Sequence, residues 1–135
     1  MKYRQKDFTE NVKIKIKNTE MALKELIEKM LEDNKAVFAK KNLELNADFF
    51  KEGDDYFKPS YSSSVAISIL EKTGTNSEPI DIHVIKIWEC GRILLGMPIS
   101  KNIPGSKVVG ELLDESADEI KEELKEYIEG FFYVP

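Results

Sequence analysis

Two side chains capable of nucleophilic or metal chemistry, His83 and Cys90, lie close together in the sequence, and each is the single residue of its type among 135. Zinc sites draw on clusters of Cys and His, and a thiol nucleophile needs a base beside it. On one regular strand the odd spacing would send His83 and Cys90 to opposite faces, which disfavours a Cys–His dyad. The preferred reading is a hydrogen-bonded strand histidine and a small buried thiol. No catalytic residue, metal ligand or cofactor site is assigned.

Asp54 and Asp55 are the next candidates, as an acid–base pair of the kind used in glycoside hydrolysis. Neighbouring carboxylates usually point apart, so a carboxylate-based hydrolase is the weakest of three functional readings. Both belong to a stretch running from Asn46 to Tyr61 that holds five aromatics, Phe49, Phe50, Tyr56, Phe57 and Tyr61, with Asp48 and Glu52 among them. This stretch reads as a turn-prone loop. Its acids miss the alternating spacing of a calcium loop. Gly105-Ser106-Lys107 resembles the end of a phosphate loop, but Ser100 stands where the motif needs its first glycine.

The elements that would position these residues follow from periodicity. Ser116 and Glu119 form a capping box, and Ala117, Ile120, Leu124, Tyr127 and Ile128 then recur as a helical stripe, with Gly130 suited to a stop. This predicts an amphipathic helix over 117–129, acidic outside. Leu23, Leu26, Ile27, Met30 and Leu31 predict another over 19–33, capped by Asn18 or Thr19 and ended by Asn34. Val12–Lys17 alternates β-branched residues with lysine and reads as a strand. A helical register starting near Thr9 also fits, but would leave Ile14 on a polar face.

The middle of the chain reads as sheet. Lys35–Leu45, Val65–Ile69 and Ile80–Trp88 are the strand candidates, with a turn at 74–79 between the last two. The alternation slips at Val84–Ile85, suggesting a bulge or burial on both faces. Trp88 reads as a core residue, and Cys90-Gly91-Arg92 as a tight turn into Ile93-Leu94-Leu95. Two separated helices and short-linked strands define an α+β domain over 1–135. Its sheet is mainly antiparallel, with about four to five strands and the two helices packed on it.

Composition sets the outer limits. At 41% hydrophobic and 33% charged residues the chain is globular. No apolar run approaches the roughly 20 residues of a membrane span. The charged start lacks the apolar stretch of a secretory signal, and a single cysteine suits a reducing compartment, so a cytoplasmic location is expected. The net charge of −5 disfavours nonspecific nucleic-acid binding. It is unevenly spread: residues 1–17 carry six bases and two acids, and 111–129 carry nine acids and two lysines.

These features favour a small, acidic, non-enzymatic module that binds a basic protein partner. Bacterial immunity proteins, which neutralise a toxin by masking it, are similar in size and acidity, a comparison that rests on no motif. The expected surface combines aromatic anchors Phe49, Phe50, Tyr56, Phe57 and Tyr61 with charges Asp54, Asp55, Glu122, Glu123 and Glu126. The alternative is a small-molecule or accessory domain with a pocket between sheet and helices. The oligomeric state is not fixed by the sequence.

Overall fold

A computed structural model describes residues 1–71 and 79–132. Strand β1 (Lys2–Arg4) and a short 3-10 turn lead into α1 (Glu10–Lys40). Strands β2 (Leu43–Glu52), β3 (Ser62–Glu71), β4 (Asp81–Leu94), β5 (Met97–Ile99) and β6 (Lys107–Leu112) follow, and α2 (Ala117–Phe132) comes last. All strand pairs are antiparallel. The order is β1-β6-β4-β3-β2, with β5 folded back onto β4. This is the expected α+β class, with six strands among the described residues; β1, β5 and β6 are strands that the sequence reading did not name.

Helix α1 overturns three expectations. Residues 12–17 are helix, not strand: Thr9 caps the element by accepting from the Val12 amide at 3.4 Å. The buried positions Ile16, Glu20, Leu23, Ile27 and Met30 continue one stripe through the segment, so helical burial outweighs the six-residue alternation. Ile14 bears the cost at 49% exposure. Thr19 and Asn34 lie inside the helix, where each side chain donates to the carbonyl four residues back, Lys15 and Met30. The helix continues through Ala36–Ala39, which the sequence suggested as strand. Phe38 is fully buried and meets Phe131 of α2 at 6.5 Å between ring centroids. Asn42, with φ of 58°, supplies the left-handed stop.

The β3–β4 pairing is present from Ile69 opposite Asp81 to Ser62 opposite Glu89. The expected turn at 74–79 falls mainly on 72–78, outside the described residues. Alternation runs regularly through Val84 and Ile85. The bulge lies further on, where the partners of Ser63 and Ser64 are Trp88 and Lys86. Ile87 and Trp88 are consequently both buried. Cys90-Gly91-Arg92 is not a turn, since β4 continues to Leu94. The reversal is at Leu95-Gly96, both with positive φ (53° and 79°), as a two-residue hairpin turn of matching twist requires.

Register divides the sheet into two faces. Leu45, Val65, Ile67, Ile69, Ile85 and Ile87 point inward and are buried. They pack with the α1 stripe and with Ile120, Leu124 and Ile128 of α2 in one core. Ser116 and Glu119 form the expected capping box: the Glu119 amide donates to Ser116 Oγ at 3.2 Å and the Ser116 amide to Glu119 Oε1 at 3.3 Å. Gly130 does not stop α2, which runs on to Phe132. The strand face opposite the helices carries Phe50, Ala66, Ile82, Val84 and Lys86.

Candidate functional site

Phe49 and Phe50 do not belong to a loop, because β2 extends through Glu52. Their alternation sends Phe49 inward, half-buried, and Phe50 outward, exposed. The true connection is 53–61, and it folds back onto the protein. The Phe57 amide donates to Asp55 Oδ1 at 3.0 Å, and the Ser60 amide donates to the Cys90 carbonyl at 2.9 Å. Phe57 stacks on Phe8 with centroids 4.7 Å apart, and both rings pack edge-on against Trp88. The Trp88 indole N–H donates to the Tyr56 carbonyl at 2.7 Å, satisfying the buried polar atom expected of this residue. Asp54 and Asp55 remain exposed beside it.

Tyr61 is buried and its hydroxyl donates to Glu20 Oε2 at 2.7 Å. Glu20 is itself only 6% exposed. Burial, with the Glu20 carboxylate beside both rings, pushes the Tyr56 and Tyr61 phenols above their ordinary value of 10.0. Sequence reasoning missed Glu20. The signal was its place between Ile16 and Leu23 on the buried stripe of α1, legible only once the helix is extended to Thr9. The group is a polar clasp between α1 and the residue leading into β3.

His83 and Cys90 are separately engaged. His83 points inward to α2, where Nε2 lies 3.0 Å from Glu123 Oε2 and its ring packs on Tyr127 at 4.7 Å. The Tyr127 hydroxyl donates to Asp81 Oδ2 at 2.8 Å. Together these contacts fasten α2 along the first half of β4. Cys90 is buried beyond the bulge, and burial, reinforced by Asp55, raises its thiol to about 11. At neutral pH the thiolate fraction is therefore very small. Alkylation of Cys90 in the folded protein is expected to be at least about tenfold slower than in urea-unfolded chain; equal rates in a thiol-modification assay would contradict the burial.

Glu122, Glu123 and Glu126 join Glu115, Asp118 and Glu119 around one open depression along α2. Among the described residues, His83 is the single basic side chain paired with any of these six. This acidic face and the Asp54–Asp55 connection do not form one surface. The first meets β4 at His83 and the second at Cys90, roughly 20 Å further along the strand.

Gly105, with φ of 90°, leads into β6 rather than a helix, so the chain around Lys107 lacks the strand-to-helix setting of a phosphate loop. A groove of about 410 Å³ runs between the first half of α1 and the β6–α2 connection, with Ile14, Ala22, Leu23 and Leu113 as its apolar lining. Among the described residues there is no cluster of three or more His, Cys, Asp or Glu able to hold a metal ion. Nor, among the described residues, is any helix long and apolar enough to cross a membrane.

The chain is thus of the α+β class, with two helices on one face of a six-stranded antiparallel sheet among the described residues. No protein-family model, no curated protein and no solved structure matches it.

Proposed function

We propose that this chain is a non-enzymatic binding module that engages a basic protein partner through the acidic face of α2, in the masking manner of an inhibitor or immunity protein. The observation that carries the reading is the group of six carboxylates around one open depression, five of them on α2, with a half-buried histidine as the single basic side chain ion-paired to any of them among the described residues. A like-charged face of this kind costs self-repulsion that an oppositely charged partner relieves, and it accelerates and orients encounter. Glu122 and Glu126 act through charge, while Glu123 is shared with His83. Of the aromatic anchors, Tyr56, Phe57 and Tyr61 are committed inside the fold, so recognition on this face is electrostatic first.

The chain with Glu122→Lys and Glu126→Lys, used as bait beside the native chain, tests this reading. A basic protein retained by the native bait, eluted by salt and lost from the reversed one is the expected result. Retention of the same protein by both baits would place binding elsewhere. A second reading, a small-molecule site, draws on the groove beside Ile14 and Leu23; its volume falls within the range of ligand pockets.

A further inference from the structure

The first half of β4 has a free edge. On one side Asp81–Glu89 pair with β3, but on the other β6 covers only Trp88–Ile93. The Leu113 amide donates to the Ile87 carbonyl at 2.8 Å and closes that pairing as the chain leaves for α2. Among the described residues no strand lies beside Asp81–Lys86 on this edge. Alternate N–H and C=O groups along roughly 20 Å of backbone therefore point sideways with no strand to meet them, a template for a further one. Edges of this kind are commonly blunted by proline or lysine, yet neither occurs from Asp81 to Ile85. Ile82 and Val84 are instead β-branched strand formers, 51% and 54% exposed.

Helix α2 runs above this edge and leaves its plane open. Glu123 meets His83, and Tyr127 meets Asp81. Four helical residues, about 6 Å, thus match two strand residues, about 7 Å, so helix and strand run antiparallel and level with each other. The next turn back sets Glu119 level with Ile85. Asp81 and His83 alternate onto the helix side of the sheet with buried Ile85, so α2 stacks over the strand and does not occupy its edge. Helix α1 packs on β2 and β3, and Ala117 lines the groove facing it. Helical spacing then puts Glu119, Glu123 and Glu126 on the opposite flank of α2, above the free edge.

We infer that the Asp81–Lys86 edge accepts an extended segment of the basic partner as an added strand, whose alternate lysine or arginine side chains reach the acids of α2. This rests on the reading of the acidic face given above and adds the conformation in which the partner binds. In strand addition the main-chain bonds supply affinity and alternate side chains supply specificity. Bases on every second residue repeat at about 7 Å, close to the roughly 6 Å between acids one helical turn apart. Charge also selects this occupant over a second copy. Antiparallel pairing of two such edges about a two-fold would bring the acidic flanks of two α2 helices face to face, which repels.

A short capped peptide of alternating lysine and valine, titrated against the full chain, tests the inference. Its control is the same peptide N-methylated at every backbone amide, which keeps the charge but cannot donate to a strand edge. The expected result is binding of the first peptide at least about tenfold tighter than the control. Amide hydrogen exchange within Asp81–Lys86 should slow at least about tenfold at saturation, and both effects should weaken in Glu122→Lys with Glu126→Lys. Equal binding of the two peptides without protection of Asp81–Lys86 overturns strand addition while leaving the acidic face as a binding surface. Protection and affinity unchanged in the charge-reversed chain overturn the basic occupant together with the acidic-face reading. Failure of both peptides to bind overturns the inference outright.

Discussion

Gly110→Ala is expected to destabilise the protein by about 3 kcal/mol or to prevent folding, because overpacking in a filled core forces neighbours off their rotamers. A Cβ on Gly110 would stand 2.0 Å from Cη2 of Trp88 and under 3.0 Å from two more of its ring carbons. The indole has nowhere to retreat. It is fully buried, its N–H is bound to Tyr56, and Tyr3, Phe8 and Phe57 surround it. Gly91, on the neighbouring strand, is the control. A Cβ there meets nothing within 4 Å, so Gly91→Ala should change stability by less than about 0.5 kcal/mol. Denaturant unfolding of the pair reads the difference; equal midpoints would mean that Trp88 is not held as described.

Tyr61→Phe should cost about 2 kcal/mol, since it removes a hydrogen bond to a charged and buried acceptor. The ring, its packing on Tyr56 and its volume remain, so the loss reports the hydroxyl–Glu20 contact. The same contact predicts a pH dependence. Burial and the Glu20 carboxylate raise the folded-state phenol above its ordinary value of 10.0. The folded chain therefore holds that proton more tightly than the unfolded chain. This stabilisation is complete below about pH 10 and is lost as pH rises further, when the unfolded phenol ionises and the folded one does not. Native protein should weaken progressively in alkali, and Tyr61→Phe should show a shallower decline. A parallel decline in both would remove Tyr61 from the account.

What the sequence disclosed depended on how many independent signals converged on each element. The C-terminal helix combined a capping box, a five-residue apolar stripe and acids in its first turn, and all three are present in α2. The first helix carried two conflicting periods over Val12–Lys17. The alternation of lysine with Val and Ile is local, whereas the deciding stripe from Ile16 to Met30 has a glutamate in it, and that glutamate disguises it. Glu20 is apolar in role only through Tyr61, a partner 41 positions away, and long-range pairing leaves no mark on a local pattern. The same limit applied to Asn46–Tyr61. Half of it is a strand because β3 supplies a matching partner, and Phe57 turns inward because Phe8 and Trp88, distant in sequence, provide the surface it covers. The acidic face of α2 was legible because helical spacing alone places Glu122, Glu123 and Glu126 together.

The claim that matters most for function is that this acidic face guides association. With a captured basic partner in hand, its association rate with the native chain should be measured by stopped flow across ionic strength, beside Glu122→Lys with Glu126→Lys. The account predicts a rate for the native chain that falls steeply with salt, and a slower, flatter dependence for the reversed chain with dissociation much less affected. Equal rates and equal salt slopes for the two chains would contradict it.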